Sequence, residues 1–232
     1  MAKILSFLLI IAAFASSINF GSSQKTQAKG FSSLHASSAV GGEVMARDGD
    51  LVVRDYNDQV SGLIKNFSRT DPSYSHAGIV LIENGQPFVY HMYKDGPGSK
   101  GSIRRDSIHV FYDRRYNNGF GVFRYNLSGI ECQKLKATLL NWQRKGIEFD
   151  KLFDLRTNDK MYCSEMVAKL VMTATDGRIS FATTKPTKNE KQIFWLLNHL
   201  PPVDVADDAI IAIDNLYLNP NCRELKRFSY GR

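Results

Sequence analysis

The stretch Tyr162-Cys163-Ser164-Glu165-Met166-Val167-Ala168-Lys169-Leu170-Val171-Met172 reads as the opening of an amphipathic helix. Apolar residues at 166, 167, 170, 171 and 174 recur at helical spacing. Lys160-Met161-Tyr162 ahead of it is short and non-periodic, which places Cys163 in the first helical turn. There the positive end of the helix dipole and the free backbone N–H groups lower a thiol pKa and favour the nucleophilic thiolate. The competing interpretation is a small residue that only packs the helix.

Upstream of this helix the chain reads mainly as strands. Gly49-Asp50-Leu51-Val52-Val53-Arg54 is a turn into a strand, and residues 58–67 form a short helix with Val60, Leu63, Ile64 and Phe67 on one face. Residues 77–82 are a buried strand, Asn84-Gly85 a hairpin turn, and residues 87–92 the returning strand. A Gly-rich loop over 94–101 leads to strand candidates at 108–111 and 121–125. Whether 93–120 acts as a lid is left open by the sequence. Ser128-Gly129-Ile130-Glu131 is a capping box that opens a helix to Lys145, stopped by Gly146. An irregular stretch with Asp150, Asp154 and Asp159 precedes the Cys163 helix, and two more strands are expected at 209–213 and 225–230. Strands and helices fall in blocks, which predicts an α+β fold with a mainly antiparallel sheet packed against helices.

The first residues read as a targeting signal. Lys3 supplies charge, residues 4–15 are an apolar core too short for a mature membrane span, and Ala13-Phe14-Ala15 resembles a cleavage site, with later cleavage open to about residue 23. The expected organisation is a signal peptide over 1–22, a flexible lead-in over 23–40 and one domain over 41–232, exported to the periplasm or outside the cell. A retained anchor is the alternative. No cysteine closely follows the apolar core, which argues against a lipoprotein. The 232 residues carry a formal charge of +7 and a pI near 9.3. That balance serves solubility, and it also suits peripheral contact with anionic envelope polymers or lipid headgroups. The basic residues are scattered and no nucleic-acid motif is present. Of three cysteines, Cys132 and Cys222 are candidates to pair, which leaves Cys163 as a free thiol.

A thiol hydrolase needs a base for its nucleophile and a group that orients the base. His35 falls in the lead-in, His199 before Pro201-Pro202, and His109 on a strand candidate without context. His76 and His91 stand out, because they open and close the two strands joined by Asn84-Gly85, so the hairpin sets both imidazoles side by side. Asp50 reads as a turn residue, Asp150 and Asp154 as braces of the loop before the nucleophile, and Glu165 as a favourable charge at the helix start. A His/His/Cys zinc site lacks a further ligand. Neither metal nor cofactor is expected.

Gly49-Asp50-Leu51-Val52, then Ser75-His76-Ala77-Gly78-Ile79-Val80, then Val89-Tyr90-His91 resembles the run that follows the catalytic cysteine in NlpC-type papain-like hydrolases. Here the Cys-Ser element comes after the His elements. That order, with Tyr-Cys-Ser-Glu and Phe149-Asp150…Phe153-Asp154, is similar to the circularly permuted YiiX/YebB-like branch, over residues 49–170. The resemblance implies a permuted papain-like fold with Cys163 as nucleophile, His76 as base and His91 as orienter. Glu is frequent at that third position in the permuted branch, and Glu83 is a weaker rival at the far end of the strand. The position of an active-site Tyr in unpermuted enzymes is Phe149 here, so the oxyanion depends on the Cys163 amide and a further donor, Tyr162 or Tyr56. The implied substrates are cell-wall peptides or lipid acyl groups, cleaved through a thioester. A non-catalytic envelope-binding module that keeps the fold is the alternative.

Overall fold

The Asn84-Gly85 turn closes the central hairpin. Asn84 at φ 49° and Gly85 at φ 76° are both left-handed, as a two-residue turn matched to strand twist requires. It joins β2 (His76–Glu83) to β3 (Gln86–Tyr93), with Glu83 opposite Gln86 and Ile79 opposite Tyr90. A computed structural model describes residues 46–95, 99–192 and 209–231. The expected signal peptide and lead-in, with His35 and His199, lie outside the described residues.

Around the hairpin stand β1 (Asp50–Tyr56), β4 (Ser102–Ser107), β5 (Asn117–Tyr125) and, after the helices, β8 (Cys222–Ser229). The sheet order is β4-β3-β2-β1-β5-β8, and every neighbouring pair is antiparallel. A two-stranded parallel pair, β6 (Glu148–Phe149) with β7 (Lys160–Met161), leads into the nucleophile helix. The fold is therefore α+β with a mainly antiparallel sheet.

The sheet is apolar on both faces, because both are covered. On one face Leu51, Val53, Ile79 and Leu81 pack with Met166, Val167, Leu170 and Val171 of α4 (Cys163–Ala174), joined by Leu135 and Leu139 of α3 (Gly129–Lys145). On the other, Val52, Val80 and Val89 pack with Phe111, Phe120 and Val122. Burial of α4 matches the apolar stripe that defines it in the sequence. The α3 boundaries are set by the Ser128–Glu131 capping box and by Gly146 at φ 68°. Among the described residues no helix is long and apolar enough to cross a membrane.

Two expectations are corrected, and the pairing of Cys132 with Cys222, which the sequence leaves open, is answered. Residues 108–111 form a short helix, α2 (Ile108–Phe111), not a strand, because the Ser107 hydroxyl caps the Val110 amide. The strand there is β4, which ends one residue earlier. Residues 209–213 supply only an isolated bridge, Ile210 to Thr184, before α5 (Ile213–Tyr217) begins, with the Asn215 side chain accepting from the Ala212 amide. Cys132 and Cys222 are not paired; both are free, as is Cys163.

Candidate active site

Cys163 is the first residue of α4, at the point where the chain leaves β7. The Glu165 carboxylate accepts from the Tyr162 amide and so caps this helix start. His76 begins β2. The β2–β3 ladder starts only at Ile79↔Tyr90, so the strands are unpaired over His76–Gly78. At that opening the Ala77 amide, next to His76, reaches the Cys163 sulfur. The thiol packs with the core on the α4 face, next to Ala77 and Ile79, and the imidazole lies on the other face with its ring centre 5.9 Å from that of Phe111. Among the described residues no hydrogen bond joins Sγ to His76.

His76 Nε2 lies 2.8 Å from His91 Nδ1, and His91 Nε2 lies 3.1 Å from Asp106 Oδ2. His91 is fully buried. The chain of partners fixes the protons. Asp106 accepts from His91 Nε2–H, so His91 Nδ1 carries a lone pair. That lone pair accepts from His76 Nε2–H, which leaves His76 Nδ1 unprotonated and, among the described residues, without a hydrogen bond. Arg104 Nε holds the other Asp106 oxygen at 2.8 Å.

The electrostatics favour a neutral resting pair. Burial, the nearby Arg54 guanidinium and His91 hold the His76 pKa well below 6.5. Burial also pushes the Cys163 thiol up, against the opposing pull of the Ala77, Ser164 and Cys163 amides. The helix-start environment is present as the sequence implies, but desolvation of the sulfur outweighs it. The expectation of a depressed thiol pKa is corrected on this ground. Burial would raise Asp106, but hydrogen bonds from His91 and Arg104 bring its pKa below the usual value.

Gly78 makes this arrangement possible. A Cβ there would sit 2.6 Å from Val89 Cγ1, 2.9 Å from the Tyr90 carbonyl and 3.0 Å from His91 Cβ. Gly78→Ala must therefore push β3, and His91 with it, away from His76. Overpacking of this kind costs about 2 kcal/mol. Urea unfolding is expected to show that loss together with a drop in turnover larger than the loss of folded protein; turnover that simply follows folded protein would refute the positional role.

The remaining expected site residues divide. Tyr162 is buried, and its hydroxyl accepts the Ile211 amide at 2.7 Å, so it anchors the 210–212 segment rather than the thiol. Tyr56 is half-buried at the end of β1, with the Arg54 guanidinium 4.8 Å from its ring centre. Asp50 accepts the Arg47 amide and pairs with Arg124 at 2.7 and 2.8 Å, a structural turn as expected. Asp150 accepts the amides of Leu152 and Asp154, and Asp154 pairs with Arg156. Glu83 is held by Tyr90 and Arg105, away from His76. His109 is an exposed residue of α2. Asp106 and Arg54 were missed by sequence reasoning. Asp106 is the diagonal neighbour of His91 across β3–β4, where His91 faces Arg104, a relation visible only once β4 is recognised.

A family model described as permuted papain-like amidase enzyme, YaeF/YiiX, C92 family, matches residues 45–208. The curated protein YiiX of Escherichia coli (strain K12), itself described as uncharacterized, is 27% identical over 135 residues. The match covers 56% of this chain and 60% of that protein, less than two thirds of its length. The crystal structure of yiiX from Escherichia coli O157:H7, described as a metalloprotein, superposes with a TM-score of 0.65 at 18% identity, covering 81% of this chain and 100% of that chain. A likeness at that identity concerns the fold. A metal does not fit the histidine pair seen here. The two facing nitrogens are hydrogen-bonded to each other, whereas nitrogens sharing one zinc at ~2.0 Å stand roughly 3.3 Å apart with the ion between them. Among the described residues no cluster of three or more His, Cys, Asp or Glu side chains is placed to hold a metal ion.

Proposed function

Since this chain belongs to the permuted papain-like amidase family of the YaeF/YiiX type, we propose that it is an exported cysteine hydrolase that cleaves acyl amides of the cell envelope, in peptide or lipid substrates, through a thioester on Cys163. The carrying observation is the hydrogen-bonded line from His76 through His91 to Asp106, which ends on an unprotonated His76 Nδ1 at the opening where the Ala77 amide meets the Cys163 sulfur.

In this mechanism His76 Nδ1 takes the thiol proton as sulfur attacks the acyl carbon. The Cys163 amide donates to the developing oxyanion, and Tyr56 is the remaining candidate for a second donor. His76 then returns the proton to the leaving amine. Water, deprotonated by His76, cleaves the thioester to carboxylate and free thiol. The neutral resting pair suits this cycle, because the imidazole must begin without a proton. Export is supported by the apolar core over 4–15, and contact with an anionic envelope by the +7 charge.

The test is a single-turnover incubation of the full chain with N-acyl amides, followed by intact mass and peptide mapping. An acyl mass increment on Cys163 that decays with product release is expected. Absence of any increment or product across peptide and lipid amides would favour a binding module that retains the fold.

A further inference from the structure

Arg54 has no part in the proton path above, yet it lies beside it. β1 sets it opposite His76 on the same sheet face, and it is only 6% exposed. Its guanidinium stands 4.4 Å from the Phe111 ring centre and 4.8 Å from that of Tyr56. Nη1 donates to the Phe111 carbonyl at 3.2 Å. Nε is enclosed with no hydrogen-bond partner, and Nη2 donates to nothing among the described residues.

A buried arginine cannot shed its charge, so it ordinarily keeps a carboxylate partner. Arg54 makes no ion pair among the described residues. Asp106, the carboxylate whose charge it feels most, is engaged by His91 and Arg104. The two ring contacts offset part of the burial cost and leave the hydrogen-bonding need of Nε unmet. The Nε–Nη2 edge, unpaired here among the described residues, is the one that grips carboxylates side-on elsewhere in this protein, in Arg105, Arg115, Arg124 and Arg156. The positive charge is felt at both reacting groups, for it interacts with Cys163 and with His76.

We propose that Arg54 binds an oxyanion of the substrate, a carboxylate or a phosphate, on its Nε–Nη2 edge, within a few bonds of the acyl carbon attacked by Cys163. This rests on the hydrolase reading and narrows its substrates to acyl amides that carry an anionic group close to the scissile bond. A fork geometry of this kind favours planar or tetrahedral oxyanions over a neutral amide or hydroxyl.

The experiment compares alkylation of Cys163 by iodoacetate and by iodoacetamide, which share an electrophile and differ in a carboxylate. Both rates scale with the thiolate fraction, so their ratio cancels any effect of Arg54 on the thiol itself. With glutathione as reference, the wild-type iodoacetate-to-iodoacetamide ratio is expected to be raised at least about tenfold, the size of one good charge-assisted contact. Arg54→Gln should return it to the glutathione value, and Arg54→Lys, which keeps the charge but not the fork, should lose most of the increase. A wild-type ratio equal to that of glutathione overturns the proposal and does not depend on how any variant folds. An unchanged ratio in folded Arg54→Gln overturns it as well. Protection of Cys163 from iodoacetamide by acetate assigns a carboxylate, and by inorganic phosphate a phosphate; protection by neither counts against the site. A raised ratio without any acyl adduct on Cys163 would sink the hydrolase reading and leave the anion site standing.

Discussion

Cys163→Ala is expected to lower kcat/KM on a cleaved acyl amide by about 10⁴-fold or more, the scale on which hydrolases lose activity when the nucleophile is removed. The loss should fall in kcat, because the thiol acts in bond formation rather than in holding substrate. The fold should survive. The start of α4 is capped by Glu165 rather than by the thiol, the body of the helix is held by Met166, Val167, Leu170 and Val171, and deletion of one small side-chain atom costs about 1 kcal/mol. Circular dichroism and urea unfolding of the variant would show this. Turnover within tenfold of the wild type in a folded Cys163→Ala protein would end the thioester mechanism. Wild-type alkylation by iodoacetamide has its own pH signature. Burial holds the thiol above its ordinary value, so the rate should still be climbing through pH 9, without the plateau at acid pH that a preformed thiolate–imidazolium pair would give.

The parts of this site carried by local signals were legible in the sequence. Asn84-Gly85 forces a left-handed pair of residues, and a left-handed pair closes a hairpin; His76 and His91 follow from it. The apolar period from Met166 to Ala174 places Cys163 at a helix start whatever the rest of the chain does. β4 carries no such signal, because Ser102-Ile103-Arg104-Arg105-Asp106-Ser107 has one apolar residue and lies at the sheet edge, where charge is the usual protection against further pairing. Missing β4 meant missing Asp106. Ile108-His109-Val110-Phe111 misleads in the other direction, since its branched and alternating residues favour a strand while the decisive feature is one hydroxyl cap from Ser107. The depressed thiol was expected from the helix dipole alone; the opposing desolvation comes from tertiary packing that no window of sequence contains. Arg54 belongs to the same class. In sequence it ends an apolar strand in the ordinary way, and only the assembled sheet leaves its charge buried without a carboxylate partner among the described residues.

The second large effect belongs to His76. His76→Ala removes the base and is expected to lower kcat/KM about 10³-fold, within the range for loss of general acid–base assistance. The two groups behind it should matter less, and in order. Asp106 acts through His91, so Asp106→Asn is expected to cost about 10–10²-fold, as loss of an outer orienting partner does. An Asn amide can donate where Asp106 accepts. His91 can then carry its proton on Nδ1 and turn His76 to the tautomer whose Nδ1 is protonated and useless as a base. Asp106→Glu keeps an acceptor and should restore most of the activity, which a merely structural role for Asp106 would not predict. The pH profile supplies the sign. The neutral imidazole is the active form, and burial with Arg54 holds the His76 pKa well below 6.5. Activity is therefore kept as pH falls through 6.5 and lost only below it. Replacing Arg54 with Gln removes a charge that opposes protonation, so the acid limb should move to higher pH. If His76→Ala retains activity within tenfold while its fold is intact, the imidazole is a bystander, and the line from His76 to Asp106 serves the architecture of the β2–β3 opening instead of the chemistry.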